Sequence, residues 1–186
     1  MTTKSFLFNR EPEWHEHRRG SQHHLPEAVQ SWTYEAGSLT QRLRDYYGNA
    51  IAVSILFHQW RKPFLSERNQ LHLPQSRYGL TREVILHTNG KPLLLARTII
   101  PEETIKVAHR NLAHLGTRPL GEVIFSYPDL ERITMDLVLI RPTTWTPPAQ
   151  EKANITQPIW GRRTVYAIQK RPMLVSEFFL PEILGH

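Results

Sequence analysis

An α+β domain built on one antiparallel sheet is what the amino-acid pattern predicts, on three observations. Strand-length runs recur in which apolar and polar residues alternate, and two of them flank Thr88-Asn89-Gly90-Lys91. Asn-Gly between alternating runs marks a hairpin. The helical periodicities gather early and mid-chain instead of between successive strands, and tight connections require antiparallel neighbours. About six strands are expected on this reading.

Residues 1–25 are polar and rich in His, Arg and Glu, and are expected to form a flexible arm ahead of a single domain over 26–186. His15, His17, His23 and His24 have no periodicity that would fix them at metal-ligand geometry, so a solvated tail is the simpler reading. Pro26 to Gly48 reads as helix in two pieces, broken at Gly37-Ser38. Ser38 is placed to cap a second helix through Tyr47, and Gly48 to stop it. Ala50–Trp60 alternates as a strand, and a polar loop follows to Ser76. The hairpin strands are Tyr78–His87 and Pro92–Ile100. Glu102–His114 reads as helix with acidic residues in its first turn, ended by Gly116. Val123–Phe125 is a short apolar turn. Leu130–Ile140 is a strand with Ile133, Met135, Leu137 and Leu139 on one face. The Pro- and Thr-rich stretch 141–158 reads as a long exposed loop. Trp160–Gln169 and Met173–Leu180 close the chain around a turn at Lys170-Arg171-Pro172.

Composition narrows the function. The chain has 186 residues, 40% of them hydrophobic and 22% charged, which suits one globular domain. No apolar run reaches membrane-spanning length, and the N-terminus lacks the apolar core of a secretory signal, so a cytoplasmic location is expected. With no cysteine, disulfides, thiolate metal sites and a Cys nucleophile are excluded. The formal charge of +6 favours an anionic partner, yet Lys and Arg are scattered instead of clustered as a phosphate-binding face requires. Serine-hydrolase elbow, zinc-protease and glycine-rich phosphate-loop motifs are missing.

Two charges break the strand alternation. Arg82 shares a face with Leu80, Val84 and Leu86, and Glu177 shares one with Met173, Val175 and Phe179. A buried unpaired charge costs several kcal/mol, of order 3–5, so each needs a partner. They either pair with each other, lie on solvated faces, or stand at opposite ends of an apolar cavity. The last arrangement suits a flat ligand with a carboxylate at one pole and a hydroxyl at the other. Arg97, Arg162 and Arg163 carry the same ambiguity, which strand-edge salt bridges resolve more simply.

Ser76-Arg77-Tyr78 with Arg82-Glu83, then Arg97-Thr98-Ile99-Ile100-Pro101, Pro119-Leu120-Gly121, Trp160-Gly161-Arg162-Arg163 and Ser176-Glu177-Phe178-Phe179-Leu180-Pro181 occur in this order. Together they resemble the bacterial chorismate pyruvate-lyase family, strongly over Ser76–Pro181 and more weakly over Ser31–Trp60. The resemblance implies a single sheet with helices on one side and helical flaps over a buried ligand cavity. It implies a lyase that converts chorismate to 4-hydroxybenzoate and pyruvate without metal or organic cofactor, the first step toward ubiquinone-type quinones; because the product would keep both polar anchors, tight product retention is expected. It also implies that the ring carboxylate meets Arg82 and the backbone N–H groups of Leu39 and Leu120, while the para hydroxyl meets Glu177.

The chain departs from the family pattern at three places. An extra residue between Tyr78 and Arg82 suggests a bulge at the start of that strand. Position 39 is Leu where well-known members have Met, a change that leaves a backbone contact intact. The 141–158 stretch is longer than the family pattern suggests. Aromatisation of the ring supplies the driving force, so the expected role of the protein is to orient the substrate and exclude water. Chorismate and 4-hydroxybenzoate are the expected partners of a monomer, with no nucleic acid. The rival readings are a non-catalytic carrier of small aromatic carboxylates using the same Arg82 and Glu177, and a nucleic-acid binder with Arg162, Arg163, Lys170 and Arg171 on one exposed face.

Overall fold

The computed structural model describes residues 5–16, 25–108 and 112–185. Seven strands form one antiparallel sheet in the order β1-β5-β6-β7-β4-β3-β2. In chain order they are β1 (His15–Glu16), β2 (Ala52–Arg61), β3 (Gly79–Thr88), β4 (Lys91–Pro101), β5 (Glu131–Ile140), β6 (Ile159–Ile168) and β7 (Arg171–Phe179). The described helices are α1 (Glu27–Thr33), α2 (Leu39–Tyr47), α3 (Leu65–Gln70), α4 (Glu102–Val107), α5 (Leu120–Ile124), α6 (Pro147–Ala153) and α7 (Pro181–Leu184). None is long and apolar enough to cross a membrane.

Local chemistry sets the connections. Asn89 and Gly90 both take positive φ, 47° and 77°, as a two-residue hairpin between right-twisted strands demands. The β6–β7 hairpin turns the same way at Gln169 and Lys170, one residue earlier than the Lys170-Arg171-Pro172 turn expected from Pro172. Ser38 caps α2 by accepting from the Gln41 N–H, and Gly48, at φ 67°, ends it.

Both faces of the sheet are covered. On one, α1, α2 and α5 pack over Val84, Leu86, Leu94, Tyr166 and Val175. On the other, the N-terminal residues Leu7 and Phe8 join Trp145, Ala149 and Ala153 over Ile85, Leu95, Val138 and Phe178. Successive residues of β3 are therefore buried on opposite faces, and its period-2 signal disappears into one continuous buried run.

Five expectations change. The arm over 1–25 does not hang free along its described part: Leu7 and Phe8 are buried, and the N–H groups of Phe6 and Leu7 donate to Glu83. His15 pairs with Leu137 in β1, while His17, His23 and His24 lie outside the described residues. The polar stretch 61–76 contains α3, whose first turn is closed by Glu67 accepting from the Phe64 N–H. The 141–158 stretch is folded around buried anchors, although many of its residues are exposed; Thr146 caps α6, Pro147 suits a first helical position, and Trp145 is fully buried. The helix at Glu102 ends at Val107, with 109–111 outside the described residues. The bulge expected near Tyr78 is absent, since β3 runs in register from Gly79↔Pro101 to Leu86↔Leu94; the irregularity falls instead on its neighbour β2, between Ile55 and Phe57.

In β5 the face carrying Ile133 and Leu139 is the exposed one, and Asp136, Val138 and Ile140 point inward. A bulge between Arg132 and Thr134 interrupts the phase, and Asp136 is tolerated inside because Arg163 donates to it at 2.6 Å.

Candidate functional site

Leu39, Arg82, Leu120 and Glu177 stand on the wall of a single cavity between the sheet and the helices α2 and α5. Most of the lining is apolar: Val53, Val84, Leu86, Ala96, Ile124 and Val175 among others. Leu39 and Leu120 are the first residues of α2 and α5, so neither amide has an acceptor within its own helix. The two covers touch: a Cβ on Gly121 would collide with Ser38 Oγ, and Arg44 of α2 forms an ion pair with Glu122 of α5.

Arg82 is 3% exposed. One of its nitrogens, Nη2, donates at 3.1 Å to the carbonyls of both Gly116 and Arg118, and Nε is buried without a partner. No described carboxylate lies within ion-pair distance of it. Burial alone pulls its pKa below the usual guanidinium range, down to about 10. Its cross-strand neighbour His58 supplies no counter-charge; burial, then the positive charge of Arg82, hold that imidazole below its ordinary range. The result is a desolvated cation facing the cavity with no ion-paired carboxylate among the described residues.

Glu177 and Arg82 do not pair with each other. Glu177 sits directly across from Arg162 in the β6·β7 ladder and accepts from its Nε at 2.7 Å through Oε2. The other oxygen, Oε1, has no hydrogen-bond partner among the described residues. Arg162 is 1% exposed, and its Nη1 donates to the carbonyls of Thr33 and Glu35. Desolvation works against its charge, but Glu177, together with Tyr166 and Glu35, outweighs that and raises its pKa. Tyr166 also lines the cavity, with its hydroxyl accepting from Arg132 at 3.0 Å; burial, reinforced by Glu177, raises its pKa.

Reasoning from sequence missed the part of Tyr166, and read Arg162 as a strand-edge salt bridge when it is a buried one. Position supplied a usable signal: Arg162 lies opposite Glu177 once the Gln169-Lys170 turn fixes the register.

The remaining buried charges belong to the opposite face. Arg97 donates to Glu67 at 2.6 and 2.9 Å and to Glu83 at 2.5 Å. Glu83 also accepts from Ser5 and from the Phe6 and Leu7 amides, fastening the N-terminal segment. Arg162 and Arg163 are both buried and project to opposite faces, so the exposed basic surface that a nucleic-acid reading requires of them does not exist. No cluster of metal-ligating side chains occurs among the described residues.

Comparison with known proteins gives relatives in fold and in sequence. The effector domain of PhnF from Mycobacterium smegmatis superposes with a TM-score of 0.57 at 15% identity, over 78% of this chain and 90% of that one. A GntR-family transcriptional regulator from Bacillus cereus gives 0.55 at 13% identity, over 72% and 94%. At such identities the likeness is one of fold. Sequence relatives are nearer. A probable chorismate pyruvate-lyase of Methylococcus capsulatus is 40% identical over 157 residues, covering 84% of this chain and 97% of the relative. One of Thiobacillus denitrificans is 32% identical, covering 86% of each. One of Shewanella loihica is 31% identical, covering 98% of this chain and 94% of the relative. The family model described as chorismate lyase matches residues 14–186, and the chain therefore belongs to the chorismate lyase family.

Proposed function

We propose that this chain is a chorismate pyruvate-lyase that releases the enolpyruvyl group of chorismate as pyruvate and leaves 4-hydroxybenzoate, the precursor of a ubiquinone-type quinone. The observation that carries the reading is Arg82: a buried guanidinium with an unpartnered Nε and no ion-paired carboxylate, aimed into a mostly apolar cavity. A ring carboxylate supplies the missing anion, and a guanidinium can grip it through two parallel hydrogen bonds. The first amides of α2 and α5, at Leu39 and Leu120, add donors to the same group. Glu177, across the cavity, accepts from the ring hydroxyl through Oε1.

The reaction asks little covalent chemistry of the protein. The ether bond to the enolpyruvyl group breaks with its electron pair on the departing oxygen. The hydrogen on the adjacent ring carbon passes as a proton to that departing group, directly or by way of Glu177, to give pyruvate, and the ring becomes aromatic. Holding the ring at both poles fixes its rotation inside a site that excludes water, so that the departing group and the hydrogen are aligned. The product keeps both anchors, which favours slow release through movement of the covers formed by α2 and α5. Substrate and product are the proposed partners, with no cofactor required by the elimination.

Incubating the purified chain with chorismate tests the reading. Stoichiometric 4-hydroxybenzoate and pyruvate, lost together in Arg82→Ala and Glu177→Ala, are expected. A chain that binds 4-hydroxybenzoate but leaves chorismate intact is instead a carrier.

A further inference from the structure

Arg162 is the most heavily engaged side chain near the cavity, yet it is not among the residues lining it. Its partners divide into two groups. Nε holds Oε2 of Glu177 at 2.7 Å, while Nη1 donates to the Thr33 carbonyl at 2.9 Å, the Glu35 carbonyl at 2.8 Å and the Trp32 carbonyl at 3.4 Å. Those carbonyls lie at the end of α1 and the start of the connection to α2, and the same connection delivers Ser38 and Leu39 to the cavity wall. The backbone builds this arrangement. Arg162 and Glu177 are paired residues of the β6·β7 ladder, and the preceding Gly161 has no side chain because the Phe178 ring occupies that place.

We infer that Arg162 is the positioning residue for Glu177, holding Oε1 toward the ligand hydroxyl, and that it joins this carboxylate to the α1–α2 cover. The inference rests on the proposed role of Glu177. Arg162 is the sole described hydrogen-bond donor to that carboxylate, and it leaves one oxygen free. Without it the carboxylate is free to turn, and ligand binding must then bear the cost of ordering it. Lysine is a poor substitute, because a single ammonium cannot span the carboxylate and the carbonyls of the cover at once.

Comparing 4-hydroxybenzoate with benzoate separates positioning from mere support of the fold, because the two ligands differ only in the hydroxyl that meets Glu177. Dissociation constants for both are measured by calorimetry on wild type, Arg162→Gln, Arg162→Lys and Glu177→Gln. The expected result is that wild type prefers 4-hydroxybenzoate and that Arg162→Gln loses about ten- to a hundredfold of that preference, the range for a hydrogen bond to a charged group, with benzoate affinity changed by less than about threefold. The double variant with Glu177→Gln should then lose little more than either single variant. Arg162→Lys carries the test if the glutamine variant fails to fold, with a partial loss expected.

Equal weakening of both ligands, or an undiminished preference in the Arg162 variants, overturns the positioning role. If Glu177→Gln itself keeps the full preference, the assignment of Glu177 fails first.

Discussion

Replacing Arg82 with methionine should cost the ligand-free protein almost nothing and remove its affinity for an aromatic carboxylate. Burial takes the guanidinium well below its usual range, down to about 10. At about 1.4 kcal/mol for each pH unit of that difference, the charge costs the empty fold about 3 kcal/mol. Against this stand its hydrogen bonds to the Gly116 and Arg118 carbonyls, worth about 1 kcal/mol each. Both acceptor residues are exposed, so their carbonyls can turn to water once the donor is gone. The balance is about 1 kcal/mol in favour of Met, a rise in Tm of about 2–4 °C for a chain of this length.

Ligand reverses the order of the two proteins. At one hundred times its Kd, 4-hydroxybenzoate should stabilise wild type by about 2.7 kcal/mol, or about 5–11 °C. Loss of the charge-assisted grip weakens binding at least about a hundredfold, which leaves the variant a shift of about 1 °C at the same concentration. Thermal melts of both proteins with and without ligand read all four values. An Arg82→Met protein melting well below wild type when empty, or one shifted by ligand as far as wild type, would refute the reasoning.

Four further outcomes follow from the geometry. Glu177→Ala should lower kcat/KM for chorismate by about a hundredfold or more, and Arg82→Lys should also be poor because an ammonium lacks the two-pronged grip; steady-state kinetics measure both. Glu83→Gln, behind the cavity, removes the charge that Arg97 and the Ser5–Leu7 segment share. It should cost about 3–5 kcal/mol, seen as a fall in Tm of about 6–20 °C, with 4-hydroxybenzoate affinity of the folded protein largely kept. Gly121→Ala forces α5 away from Ser38 and should speed 4-hydroxybenzoate dissociation several-fold in stopped-flow measurements, roughly the effect of about 1 kcal/mol. An unchanged rate would show that the contact between the covers does not govern release.

Much of this was legible in the sequence because local chemistry decided it. Ser38, Gly48 and Asn89-Gly90 punctuate the chain where their side chains or positive φ are needed. Arg82 and Glu177 stood out because each shares a strand face with apolar neighbours, and the cavity lies where those faces meet. What escaped was set by tertiary contacts. Glu83 and Arg97 are as buried as Arg82, but they lie on the second face, whose cover is supplied by residues 5–8 and α6 from distant parts of the chain. Those covering segments themselves read as polar tail and Pro-rich loop, since a few apolar side chains such as Leu7, Phe8 and Trp145 do the burying. In β5, the inward turn of Asp136 depends on Arg163, which comes from the next strand in space and is reached only after α6.

The most direct test of where the ligand lies is a crystal structure of the chain with 4-hydroxybenzoate. The carboxylate should sit at hydrogen-bond distance, about 2.8 Å, from the Arg82 guanidinium and near the Leu39 and Leu120 amides, with the hydroxyl about 2.7 Å from Glu177 Oε1. A product molecule bound with its poles exchanged, or found outside the cavity while Arg82 keeps only its carbonyl partners, would contradict the assignment.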